Sequence, residues 1–275
     1  MLLLVSLLPA LMAFVYGALI GSFLNVCILR LPKNESIVRP RSRCPKCGSL
    51  VAWYDNIPIV SWLVLRAKCR RCGQSISWQY PLLELGVALI WAASVWYLGV
   101  TFDAVSAAIF VSLLLAILIT DARHYIIPDE FSLGGLGIGL VLAFVTDIGI
   151  AASVLGAGLG FGVMWAVKAA GDHALKKGWI GGSEITDTLG DEEPITSMGG
   201  GDLKMMAMVG AFLGPRGVLM TIFLGALAGT IIYLPFLFRE KKPLVPFGIY
   251  LAIGGVITLL IGQRLANWYA ALLFG

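Results

Sequence analysis

The first 29 positions contain no lysine, arginine or other charged residue, and Arg30 is the first charge the chain meets. About 20 apolar residues suffice to cross a bilayer. In hydrocarbon a lone segment must satisfy every backbone N–H and C=O internally, so a run of this kind has to be helical. No positive residue precedes the run, and the first cation follows it. That order predicts an uncleaved spanning helix with its N-terminus outside, not a secretory signal.

The pattern recurs. Candidate spans lie at about 8–29, 82–99, 104–120, 131–147, 149–169, 203–214, 217–238 and 246–271. The sixth is short. A soluble domain usually carries about 25% charged residues, and this chain carries 13% with 59% hydrophobic. The fold class expected is therefore all-α: a polytopic membrane helical bundle of about eight transmembrane helices, in a lipid bilayer.

With the N-terminus outside, the polar segments 30–81, 121–130, 170–202 and 239–245 fall on the cytoplasmic side. Of the twenty Lys and Arg residues, only Arg216 and Arg264 fall on the other side. This strong positive-inside bias places both termini outside. It also accounts for the basic residues without a nucleic-acid partner, as does a net charge of only +4. The domains expected are a first transmembrane helix at 1–29, a cytoplasmic domain at 30–81 and a membrane core at 82–275. That core would carry a polar, acid-rich insertion at 170–198.

Four of the five cysteines form two C-x-x-C knuckles, Cys44 with Cys47 and Cys69 with Cys72, separated by the 21 positions 48–68. This is slightly longer than common zinc-ribbon spacing. A glycine closes each knuckle, and four thiolates so held can surround one Zn²⁺ tetrahedrally. The alternative, two disulfides, is disfavoured in a reducing cytoplasm. An all-cysteine site is closed, so its zinc would be structural. Cys27, in an apolar run, reads as a small buried hydrophobe.

Carboxylates at membrane depth are functional candidates. Asp121 ends the third span in L-I-T-D-A-R-H-Y-I-I-P-D, and Asp202 opens the sixth in M-G-G-G-D-L-K. The topology puts both at the cytoplasmic interface, the precondition for a catalytic aspartic pair in which one carboxylate activates water and the other donates a proton. Each also has a plain structural reading: Asp202 as a helix N-cap, Asp121 as an interfacial end residue. Asp129 suits capping. Glu84 is either favourably placed near a helix N-terminus or in contact with a substrate amine or cofactor. There is no H-E-x-x-H and no G-x-S-x-G, and His124 and His173 are the only histidines. A metalloprotease or serine hydrolase is disfavoured.

Taken in order, these segments resemble the type IV prepilin peptidases, the bifunctional leader peptidase/N-methyltransferases. The matching stretches are Gly21–Pro32, the knuckle at Cys44 and Cys47, Trp53–Pro58, the knuckle at Cys69 and Cys72 and Tyr80–Glu84. Asp121–Asp129, Gly199–Lys204 and Gly210–Gly214 complete the set. The resemblance implies a G-x-G-D aspartic peptidase of the bacterial inner membrane, with Asp121 and Asp202 as the catalytic pair and zinc on the four cysteines. Its substrates would be prepilins or pseudopilins, cleaved at the cytoplasmic face, and S-adenosyl-L-methionine would be the methyl donor for the new N-terminus. No residues are assigned to that donor. Two departures stand out: the insertion at 170–198, and Ala67 where the family commonly has glycine, which would restrict a turn requiring positive φ. Alternative readings are a peptidase without methyl transfer, a non-enzymatic assembly protein and a proton-coupled transporter.

Overall fold

Uncharged runs do become helix. A computed structural model describes residues 2–177, 197–234 and 247–274. Its long helices are α1 (Leu2–Arg30), α3 (Gln79–Leu98), α4 (Phe102–His124), α5 (Asp129–Leu142), α6 (Ile150–Lys176), α7 (Gly200–Tyr233) and α8 (Phe247–Phe274), with a one-turn α2 (Val60–Val64) before α3. Of the described helices, five are long and apolar enough to cross a membrane: Leu7–Lys33, Gln79–Leu98, Phe102–His124, Ile150–Lys176 and Gly200–Tyr233.

Two of the differences from the eight expected spans have definite reasons, while in α8, over the run at 246–271, the stretch Phe247–Gly262 is a shorter apolar helix. The runs at 203–214 and 217–238 form two limbs of the single helix α7, which meet where Gly214 adopts φ 69° and Pro215 follows. Proline lacks the N–H that would continue the hydrogen-bond ladder, and glycine takes up the bend. The run at 131–147 yields only the 14 residues of α5, about 21 Å at 1.5 Å per residue, short of a full crossing. In the acid-rich segment, α6 stays helical through Lys176. Residues 178–196, with Asp191, Glu192 and Glu193, lie outside the described residues.

The chain divides into two compact units, residues 1–124 and 125–275. In the first, α1 and α3 run antiparallel in a fixed register. Gly17 lies against Ala88, Gly21 against the Cα of Glu84, and the Asn25 side-chain amide donates to the Tyr80 carbonyl at 3.1 Å. Each step is four residues on both helices, one turn, which keeps the same two faces together. Trp91 Nε1 ties α3 to α4 through Ser112 Oγ at 3.2 Å. Thr101 caps α4 by accepting from the Ala104 N–H at 3.1 Å. The helix stops where Tyr125 turns left-handed, φ 54°, three residues before Pro128.

In the second unit α7 packs against α5, α6 and α8. Gly156 and Gly160 of α6 meet backbone atoms of α7 around Met206 and Gly210, so close that an added methyl would collide. Lipid offers helices no hydrophobic drive to associate, and small residues let backbones approach for dispersion and hydrogen bonding. Ser153 Oγ donates across this seam to the Ala211 carbonyl at 2.7 Å. Met205, Met206 and Met208 of α7 are fully buried.

Candidate metal, cavity and carboxylate sites

The two knuckles are built alike, at an offset of 25 residues. Cys44 N–H donates to the Ser49 carbonyl and Gly48 N–H to the Cys44 carbonyl; Cys69 N–H donates to Gln74 and Gly73 N–H to Cys69, all at 2.8–2.9 Å. Isolated antiparallel bridges, Arg43 with Leu50 and Lys68 with Ser75, close each one. Gly48 and Gly73 sit at φ 70° and 69°, where a side chain is strained. The C-P-K-C-G and C-R-R-C-G motifs signalled this internal symmetry, although no repeat is evident in the rest of the sequence.

The four sulfurs lie within 4.8 Å of one another, and Cys44 Sγ is 3.8 Å from Cys72 Sγ. Thiolates at about 2.3 Å from a tetrahedral zinc stand about 3.8 Å apart, so the donor set fits one such ion. Backbone N–H groups of Cys72 and Arg71 aim at Cys69 Sγ and hold its thiol below the usual range. Ser49, beside Cys47, pulls that thiol down to about 6. Amides and hydroxyls directed at sulfur favour the thiolate a metal requires. The structure thus brings all four cysteines to one metal-binding cluster, while Cys27 is buried elsewhere, in α1.

The segment between the knuckles is pinned to the second one. Arg70 grips Asp55 with two bonds, 2.8 and 2.7 Å, and lies 5.6 Å from the Tyr54 ring centre. The guanidinium holds the Asp55 carboxyl below the ordinary carboxylate range. Trp62 packs against Trp78, ring centres 4.4 Å apart and planes tilted by 54°, and donates to the Ile76 carbonyl at 3.2 Å. Ala67 adopts φ 58°, the left-handed conformation that makes its methyl group costly.

Between this module, α1 and α3 lies a cavity of about 1480 Å³. Ser22 and Asn25 of α1, Tyr54 and Ile59 of the module, and Tyr80 and Glu84 of α3 are among its lining residues. Glu84 is buried, with 7% exposure. Its Oε2 accepts from the Ile59 N–H at 2.7 Å, and Ser22 donates to the same carboxylate. Ile59 has φ 62° and ψ −53°, and Val60 N–H bonds back to the Pro58 carbonyl at 2.6 Å. That is a strained γ-turn, and it occurs here on a β-branched residue. Such strain costs about 1–3 kcal/mol and persists where the surroundings over-determine it.

Asp121, in the last turn of α4, is buried in the first unit. Asp202, buried in the second, is the third residue of α7, after an N-cap that is Gly199. Asp202 is therefore not the cap. A Cβ on Gly201 would come 2.9 Å from Ile127 Cβ, so the G-G-G-D backbone lies tight against that chain. The approach to Asp202 is tied down from α6: Asp172 accepts from the Ser197 N–H and hydroxyl, each at 2.7 Å, and Lys168 donates to the Met198 carbonyl at 3.0 Å. Asp129 does not cap α5, whose N-cap is Pro128; it takes both its bonds from Lys204 Nζ, at 2.6 and 2.7 Å. These clasps escape sequence reading because their partners are 25–75 residues apart.

Residues 15–98 match the bacterial peptidase A24 N-terminal domain, and residues 108–234 match the type IV leader peptidase family. A Xanthomonas campestris protein named prepilin leader peptidase/N-methyltransferase is 34% identical over 92% of this chain and 91% of its own length.

The chain belongs to the type IV leader peptidase family.

A Pseudomonas aeruginosa protein of the same name is also 34% identical, over 92% of this chain and 90% of its own. A Myxococcus xanthus protein of that name is 38% identical over 81% of this chain, which spans 62% of that relative's length. No solved structure matches the chain. The first matched region carries the knuckles, the cavity and Glu84, and the second carries Asp121 and Asp202. A membrane enzyme of this family, with apolar helices and four clustered cysteines, is what the sequence motifs imply.

Proposed function

We propose that this leader peptidase cleaves the basic leader from type IV prepilins or pseudopilins and then N-methylates the N-terminus it exposes. The observation that carries the first step is a pair of buried carboxylates at helix ends, Asp121 and Asp202, inside the region that matches the peptidase family. One carboxylate takes a proton from water as the oxygen attacks the scissile carbonyl. The other supplies a proton to the leaving amine. Water is thereby divided across the broken peptide bond, and the two groups exchange protonation states.

The cation distribution supports an inner-membrane topology with both termini outside and cleavage at the cytoplasmic face. A basic leader stays in the cytoplasm while the apolar pilin helix sits in the bilayer, so their junction falls at that interface. The four-cysteine cluster would hold structural zinc with every position filled by protein, which braces the segment 30–81. S-adenosyl-L-methionine would supply an electrophilic methyl group to the new amine. A lined cavity on the same module, with a buried carboxylate, supports a site for that step.

The test is cleavage and mass analysis of a prepilin by purified wild type, Asp121→Asn and Asp202→Asn. Wild type should remove the leader and add one methyl group in the presence of the donor. Each variant should remain folded and lose cleavage by about 10³-fold or more. Near-normal cleavage by either variant removes that residue from the mechanism.

A further inference from the structure

Glu84 and Asn25 are not used by the proposed cleavage step, and both are polar residues that line the cavity. The antiparallel register puts Glu84 opposite Gly21 and Asn25 opposite Tyr80, one helical turn apart. Asn25 is 1% exposed, and its amide donates to the Tyr80 carbonyl. Its Oδ1 accepts no hydrogen bond among the described residues. Glu84 receives the Ile59 N–H and the Ser22 hydroxyl and makes no ion pair among the described residues. The cations that line the cavity, such as Arg30, Arg39 and Arg43, come from the end of α1 and the module.

A buried carboxylate lacking a cation and a buried amide oxygen lacking a donor ask for the same thing. Both are acceptors, one of them a potential anion. A group with several N–H donors and a positive charge satisfies them together, and a primary ammonium has three. We infer that Glu84 and Asn25 bind an aliphatic ammonium group and so form the amine-recognition site of the methyl-transfer step; this rests on the methylation reading above. Two ammonium groups could belong to that step: the N-terminus of the cleaved pilin and the α-ammonium of the methyl donor.

The register that aligns the two acceptors depends on Gly21, where a Cβ would come 2.7 Å from the Glu84 Cα. The γ-turn at Ile59 serves the same end, because its unusual φ directs a backbone N–H at Oε2. That N–H fixes one face of the carboxylate and leaves its rotamer defined before a ligand arrives.

The experiment uses intact zinc-loaded protein in detergent and measures binding apart from turnover. The probes are labelled S-adenosyl-L-methionine, a peptide with the mature pilin N-terminus and the same peptide N-acetylated. The variants are Glu84→Gln, which keeps the shape and removes the charge, and Asn25→Leu. Leader cleavage and zinc content serve as folding controls, since neither uses these side chains. If the pilin amine is the ligand, wild type should prefer the free over the acetylated peptide. Glu84→Gln should then lose about 30-fold in affinity for the free form alone, with donor binding unchanged. If the donor's ammonium is the ligand, the same variant should lose about 30-fold in donor affinity, with peptide binding unchanged. Asn25→Leu should weaken the same ligand as Glu84→Gln. Unchanged affinity for both probes in a Glu84→Gln protein that cleaves normally overturns the inference. So does equal weakening of both probes together with lost cleavage and zinc, which marks Glu84 as structural. A wild type that binds both probes but transfers no methyl group refutes the methylation reading instead, and the binding result stands separately.

Discussion

The helix α6 contains its own controlled experiment. Gly156, Gly158, Gly160 and Gly162 alternate along one stretch, and alternate residues on a helix face different directions. A Cβ at Gly158 or Gly162 meets nothing within 4 Å. A Cβ at Gly160 would come 2.7 Å from the Met206 carbonyl carbon and closer still to its oxygen. Backbone cannot rotate aside as a side chain can. Restoring an ordinary 3.4 Å contact to the carbon alone, from 2.7 Å, requires α6 and α7 to part by about 0.7 Å at that point, and relieving the oxygen requires more. The neighbouring Ser153–Ala211 hydrogen bond, 2.7 Å long, would be stretched by a similar amount, toward the limit of a useful bond.

Overpacking costs about 1–3 kcal/mol, and a weakened buried hydrogen bond adds about 1 kcal/mol. Alanine returns about 1 kcal/mol over glycine through helix propensity. The net expectation is that Gly160→Ala destabilises by about 2 kcal/mol, while Gly158→Ala and Gly162→Ala are neutral or stabilise by about 0.5–1 kcal/mol. Thermal unfolding in detergent checks this: about 1 kcal/mol moves the midpoint by about 2–4 °C in a chain of this size class. Because α7 carries Asp202 in its first turn, Gly160→Ala should also slow cleavage, since misplacing a catalytic group by about 1 Å can cost about 10²-fold. Gly160→Ala melting and cleaving like Gly162→Ala would refute the claim that backbone contact sets the α6–α7 spacing.

Ala67→Gly should stabilise the knuckle module by about 1 kcal/mol, because glycine bears the left-handed conformation at φ 58° without penalty; protease resistance of the segment 30–81 reads this, and a loss of resistance would count against it. Cys44→Ser or Cys69→Ser should reduce bound metal from about one ion per chain to none and abolish donor or peptide binding at the cavity, whose lining includes both cysteines; full metal content in a four-Cys→Ser protein would remove the cluster as the site. Asp55 has its carboxyl depressed by Arg70, so its contribution is complete above the ordinary carboxylate pKa of about 4 and fades only as pH falls through the lower folded value. The difference in protease resistance between wild type and Asp55→Asn should therefore stay constant from about pH 8 to pH 5, and a difference that closes within that window contradicts the clasp.

What the sequence made legible were features written in consecutive residues. Helices followed from uncharged runs and the metal cluster from two C-x-x-C-G motifs, while positive φ at Ala67 followed from the glycine common at that position in the family it resembles. What stayed hidden depended on partners far along the chain. Asp129 reads as a cap because it follows Pro128 at a helix start, and only the fold reveals Lys204 as its partner. The two-limbed α7 reads as two spans because Gly214 and Pro215 look like a loop, while packing against α6 and α8 carries the helix across them. Glu84 reads as a dipole-stabilised end residue or as a ligand contact. The fold adds that it is buried and accepts the Ile59 N–H from 25 residues away.

The two units also illustrate two ways of fixing helices in lipid. In the first, Gly17 and Gly21 bring α1 against α3, and directional bonds reinforce the arrangement: Asn25 to Tyr80 and Trp91 to Ser112 between helices, Glu84 to Ile59 of the module. Such bonds tolerate a cavity, because each is directional and needs no continuous packing around it. In the second, the α6–α7 and α7–α8 seams rest on glycines at Gly156, Gly160, Gly210, Gly225 and Gly254, with one serine and one threonine pair between helices. Close backbone contact leaves little free volume and resists displacement in every direction. The proton transfer proposed for Asp202 would require its carboxylate to hold position to within a fraction of an ångström. Recognition of a flexible N-terminus instead needs room beside fixed acceptors, and the unit with the cavity has that architecture.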